Sequence, residues 1–193
     1  MLTFGEIKSR YEGITGAKIT REALADRIDD AQVEVAKRYG KVVTHEYEDA
    51  EAGEEYDLPS DHLITQMVKD SNGDETFAYT VTPEGKIIFT VAGDYTLQYT
   101  KVPDPIDREE NDSVPEVHDI FHQAILKFCI ARHWEEISEG IPSEEAKAKN
   151  LKNDFFRMVD EAAHLLRRRT KQQYNIAIEP WWDSSGGTSF PWM

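Results

Sequence analysis

Apolar positions along the chain change period twice, which marks three zones and a tail. Over residues 3–39 the period is helical. Phe4, Ile7, Tyr11 and Ile14 fall on one face, and Thr3 followed by Glu6 is the capping-box pair of a helix start. Gly13 and Gly16 close this helix. Thr20 caps a second one, with Leu24, Ile28, Ala31, Val35 and Tyr39 as its stripe and Gly40 as its stop.

Over residues 41–102 the period drops to two, the signature of half-buried strands. Phe77, Tyr79 and Val81 alternate with polar residues, as do Ile87, Phe89 and Val91, and then Tyr95, Leu97 and Tyr99. Asn72-Gly73 predicts a two-residue hairpin turn, and Pro83-Glu84-Gly85 a second turn. Residues 42–47 and 62–69 read as further strands. The pattern predicts an antiparallel sheet or sandwich of about five strands, with residues 46–57 (EYEDAEAGEEYD) as a dense acidic loop.

After a proline-marked linker at 102–113 the helical period returns. Pro115 suits the first position of a helix running to about Glu139, with Val117, Phe121, Ala124, Phe128 and Ala131 facing inward. Gly140 and Pro142 break it. Ser143 caps a last helix to about Lys171, where Ala148, Leu151, Phe155, Met158, Ala162 and Leu165 form a seam that asks for a partner helix. The expected fold is α+β. Residues 1–40 and 114–171 form a four-helix bundle of two helical hairpins, residues 41–113 an inserted antiparallel β domain with its linker, and residues 172–193 an extended tail.

The tail concentrates three of the four tryptophans, Trp181, Trp182 and Trp192, with Phe190, around Pro180, Pro191 and the run Ser184-Ser185-Gly186-Gly187. It has no period that would bury those rings against itself. Burying one Trp removes roughly 200 Å², worth about 5 kcal/mol. Three give about 15 kcal/mol, which ordering some twenty residues at ~1 kcal/mol each offsets. Aromatic anchoring therefore needs backbone pairing too, for which Ile176, Ala177 and Ile178 are expected to add to a sheet edge. The tail lies either on a partner chain or back on its own bundle.

The formal net charge of −15 argues against a sequence-reading nucleic-acid binder, which shows a basic face. It is compatible with a wall that DNA slides past. One cysteine, Cys129 in an apolar run, excludes an internal disulfide and a Cys-cluster metal site. There is no run of eighteen apolar residues and no basic-then-apolar leader, so a soluble protein made in a reducing cytoplasm is expected, with no membrane partner.

Candidate chemistry is thin. His118 and His122 stand four apart, as helical zinc ligands do, but Asp119 occupies the position where a helical metalloprotease carries Glu. His133 would lie about 16 Å from His122 along a helix, so a third ligand would have to be Asp154, Glu161 or His164. The alternative is that these are polar positions near a helix start. Gly186-Gly187 follows no strand and is a linker, and no serine or cysteine sits in a nucleophile elbow. No catalytic residue, cofactor or metal is therefore assigned. Arg167, Arg168, Arg169 and Lys171 form the one concentrated basic patch. They either favour a helix C-terminus or dock an acidic neighbour or DNA phosphates. The acidic segment 46–57 is either simply solvated or faces a channel or a charged neighbour.

The layout resembles the head-to-tail connector (adaptor) proteins of tailed bacteriophages. The matching features are Thr3-Phe4-Gly5-Glu6-Ile7 opening one helix and Ile19-Thr20 starting the next, then Tyr56-Asp57-Leu58-Pro59 before a hairpin-rich insertion. Gly93-Asp94-Tyr95-Thr96-Leu97-Gln98-Tyr99 with Pro103 follows, then Val114-Pro115-Glu116-Val117-His118 opening a helix with Ala124 and Cys129, and the helical pair after Ser143. The likeness spans residues 3–171. It implies a structural, non-enzymatic virion protein at the head–tail interface: a homo-oligomeric ring of twelve subunits under the portal protein, around the double-stranded DNA channel, with tail or nozzle proteins on its other face. It also implies that the tail grips the portal, which makes Ile176, Ile178, Trp181, Trp182, Phe190 and Trp192 the anchor candidates. Arg167, Arg168, Arg169 and Lys171 are then interface or DNA-facing residues. The alternatives are a tail completion or terminator ring, and a metal-dependent hydrolase using His118 and His122.

Overall fold

The computed structural model describes residues 1–138 and 141–177, with side chains as far as Arg167. Its elements are α1 (Phe4–Thr15), α2 (Arg21–Tyr39), β1 (Val42–Ala50), β2 (Glu55–Asp57), β3 (His62–Lys69), β4 (Tyr79–Val81), β5 (Lys86–Phe89), β6 (Gly93–Lys101), a 3-10 turn (Asp119–Phe121), α3 (His122–Ile137) and α4 (Pro142–Ala177). The described residues thus combine four helices with two three-stranded antiparallel sheets, an α+β arrangement.

Both N-terminal helices start where their caps are. Thr3 accepts from the Glu6 amide while the Glu6 carboxylate accepts from the Thr3 amide, which satisfies two otherwise orphaned donors. Thr20 accepts from the Ala23 amide and starts α2. Gly16, at φ 69°, ends α1 in the left-handed region that glycine enters without strain. All four helices and Ile106 share one core. Its centre is α3, which is buried nearly all round at Ala124, Ile125, Leu126, Phe128, Cys129, Ile130 and Ala131 because α1, α2 and α4 each contact it.

The β unit has six strands where about five were expected, in two sheets, ordered β1-β6-β3 and β2-β5-β4. They share a core of Tyr47, Val68, Ile87, Phe89, Tyr95, Leu97 and Tyr99, in which Phe89 stacks on Tyr95 at 4.0 Å between centroids. Such a pair adds ~1 kcal/mol to the burial itself. The turn after β3 is wider than two residues. The Asp70 carboxylate accepts from the Asn72 and Asp74 amides, and Gly73 supplies φ 83°.

Several expectations change. Most of the acidic segment is strand, since β1 runs to Ala50 and β2 covers Glu55–Asp57. The inward residues Tyr47, Ala50 and Tyr56 hold it there while the acids point outward. Phe77 lies beyond β4 and is 81% exposed, because the core ends before it. Pro115 does not open a helix. Glu116 is held by its amide to Gln32 and its carboxylate to Lys101 and the Asp104 amide, so helical geometry begins only at Asp119. On α4 the strict 3-4 spacing drifts around a helix of 3.6 residues per turn. Ala148, Phe155, Val159 and Ala162 are buried and Leu166 packs on the core, but Leu165 is half exposed. Helix α4 also continues to Ala177, so Ile176 is helical rather than part of an added strand. Ile178, Trp181, Trp182, Phe190 and Trp192 lie outside the described residues.

The chain leaves the helices at Gly40 and returns after Lys101, and the two crossings are bonded to each other by Lys101 N–H to Lys41 C=O at 3.1 Å. A Cβ at Gly40 would lie 2.2 Å from Thr100 Cγ2 and 2.7 Å from the Ala36 carbonyl oxygen. Gly40→Ala is therefore expected to destabilise by about 1–3 kcal/mol through overpacking. Gly13→Ala, on an open helix face with nothing within 4 Å, should be neutral or stabilising by up to ~1 kcal/mol. Urea denaturation of both variants checks the contrast.

Candidate functional site

The most committed polar group of the fold is Gln32, which is 1% exposed on α2. Its carbonyl oxygen accepts from the Glu116 amide at 2.6 Å. Its amide donates to Asp29 at 3.1 Å and to the Asp104 carbonyl at 3.4 Å. Asp29 in turn accepts from the Ile106 amide at 2.9 Å, and burial pushes its carboxyl above the usual range. Farther along, Arg21 donates to the Arg108 carbonyl and to Asn111, and its guanidinium lies over the Phe4 ring. Three polar residues of α2 thus fasten residues 104–116 against the helices. One signal was readable beforehand: Gln32 follows Ala31 and stands four residues after Ile28, inside the apolar stripe.

His118 and His122 do not form a ligand pair. His118 precedes the 3-10 turn and its Nδ1 accepts from the Ile120 amide at 3.2 Å. His122 is 1% exposed. Its Nδ1 accepts from the Leu2 amide at 2.9 Å and its Nε2 donates to the Val117 carbonyl at 3.1 Å, which defines a neutral ring with both nitrogens engaged. Among the described residues no three His, Cys, Asp or Glu side chains are grouped to hold a metal. Cys129 is buried and its thiol is pushed up to about 12 by desolvation, far from a reactive thiolate. A polar groove of about 810 Å³ runs past Glu6, Glu12, Lys18, Arg21 and Asn111, but Lys18 is paired with Glu12 and Arg21 with Asn111.

Charge is segregated instead. Residues 41–101 carry thirteen acids against four lysines, and of those lysines Lys86 is paired with Glu55 and Lys101 with Asp104 and Glu116. From Ala162 to Ala177, α4 has Arg167, Arg168, Arg169 and Lys171 and no acid. The helix-dipole account of these cations fails, because the helix ends six residues after Lys171 and its last turn holds no basic residue. Arg167 lies over the Tyr39 ring at 5.9 Å.

The length of α4 is the other feature. Phe128 meets Phe155 at 5.0 Å and Lys152 bonds Glu135 at 3.1 Å, an antiparallel register that puts the start of α3 opposite about residue 162. The remaining fifteen or so residues extend roughly 22 Å of helix past that point. No helix among the described residues is long and apolar enough to cross a membrane. No protein-family model matches the chain, and no curated protein matches it.

Two predictions follow from the buried polar groups. Burial holds the His122 pKa below the ordinary 6.5. As pH falls through about 6.5 the unfolded chain takes up the proton first, so this contribution to stability is complete above that pH and is lost below it. Urea midpoints between about pH 7.5 and pH 5 should fall, and His122→Gln should flatten the slope. Gln32→Ala leaves the Glu116 amide and the Asp104 carbonyl unpaired. It should cost about 1–3 kcal/mol and raise hydrogen exchange across residues 104–116.

Proposed function

We propose that this chain is a structural adaptor of the phage head-to-tail connector type. It forms a ring under a portal protein that extends the DNA channel and docks the tail. In this reading the four helices are a four-helix bundle packed side by side with its neighbours, and the β unit is extruded from it. The carrying observation is the reach of α4 to Ala177, well past the start of α3, directly ahead of a sequence segment that holds Trp181, Trp182, Phe190 and Trp192. The order of elements in the connector-like layout supports the same reading. So does the balance of charge, since phosphate affinity depends on cationic contacts and an electronegative wall lets DNA pass without sequence-specific binding.

The buried histidine works against the hydrolase alternative, since both nitrogens of His122 are spent on backbone groups. The mass of the purified protein, whole and cut after Lys171, measured with and without portal protein, tests the proposal. Only the whole chain is expected to join portal as a ring, and Trp181→Ala or Trp192→Ala should weaken that binding by about tenfold or more. Indifference of both forms to portal would overturn it, and capture by tail-tube protein instead would assign the ring to the tail terminus.

A further inference from the structure

The β unit has an uncovered apolar rim. β4 is the edge strand of its sheet, and its register with β5 (Tyr79 opposite Phe89, Val81 opposite Ile87) continues outward through the Thr90 N–H to Ala78 C=O bond of 2.9 Å. Carried one step past that bond, outside the paired strands, the same register would set Phe77 opposite Val91. Phe77 is 81% exposed, Val91 58% and Val81 39%. By strand alternation they fall on the face of Ile87 and Phe89, which makes them an apolar rim at the end of the β core. Around it the unit is strongly acidic, with Asp74, Glu75 and Glu84 all exposed nearby in sequence.

Helix α4 carries the opposite character. Leu165 is half exposed on α4 and is followed by Arg167, Arg168, Arg169 and Lys171 with no acid to Ala177. An apolar side chain beside a run of cations complements an apolar rim inside an acidic surface, in both hydrophobicity and sign. We propose that Leu165 and the basic stretch of α4 from one copy dock on the Phe77–Val81–Val91 rim of a second copy of this chain. The two surfaces differ, so the contact is head-to-tail and propagates around a ring, unlike a self-complementary dimer contact. This rests on the ring reading above and names the surfaces that would build the ring.

Sedimentation of the full chain tests it. Wild-type protein should self-associate at low salt and dissociate progressively as salt is raised. Phe77→Glu and Leu165→Glu, both at exposed positions and so expected to keep the native fold by circular dichroism, should each weaken association by about tenfold or more. Each variant keeps one intact surface, so an equimolar mixture should form one-to-one dimers that grow no further. The interface is overturned if wild-type protein stays monomeric at every salt concentration, if either folded variant assembles like wild type, or if the mixture stays monomeric. Adding portal protein separates this from the adaptor reading. Rings on portal that ignore both substitutions sink the interface alone, whereas variant-sensitive assembly without portal binding sinks the adaptor reading alone.

Discussion

A buried amide on α2 determines how the helices and the β unit are held together. Gln32 commits its acceptor to the Glu116 amide and its donors to the Asp104 carbonyl and to Asp29, and Asp29 in turn takes the Ile106 amide. A polar group at that depth is costly unless every partner is supplied. The returning segment therefore has one favourable position along α2. That position sets where Ile106 enters the helical core, where Glu116 can reach Lys101, and where helical geometry resumes. Leu2 and Val117, both fixed on His122, complete the same arrangement from the N-terminal side.

Local chemistry made much of this fold legible in the sequence. Thr3, Glu6, Thr20 and Gly16 cap helices through bonds within a few residues, so their signals do not depend on what the helices pack against. The strands around Tyr79, Phe89 and Leu97 were equally readable, since alternation reports a half-buried surface wherever the partner lies. What stayed hidden required knowledge of partners distant in sequence. Pro115 carries a valid helix-start signal that loses to the three bonds made by Glu116. Phe77 continues an alternating pattern past the end of the core that gives the pattern meaning. The acids of residues 46–57 looked like a loop because their outward row outnumbers Tyr47, Ala50 and Tyr56, the residues that fix them as strand. Leu165 fell off its seam through the slow drift between a seven-residue repeat and the helical pitch.

The candidate site was legible in kind more than in place. Basic character near the end of α4 was plain, and its meaning changed once the helix was found to run six residues past Lys171, too far for the dipole to account for it. The paired histidines dissolved for a related reason. Spacing of four implies a shared face only if both residues are in one helix, and His118 is not. What remains is a molecule whose described buried polar groups hold its own segments, beside an acidic β unit, an apolar rim and a sequence of cations near the end of α4.

The paired crossings at Lys41 and Lys101 carry an evolutionary consequence. An insertion whose two ends are hydrogen-bonded neighbours can be exchanged, shortened or elaborated without moving the helices that bear it. Selection on the outer strands and selection on the helical core can then proceed at different rates. Divergent relatives would be expected to keep the small residue at Gly40 and the amide at Gln32 while replacing almost everything between Val42 and Lys101.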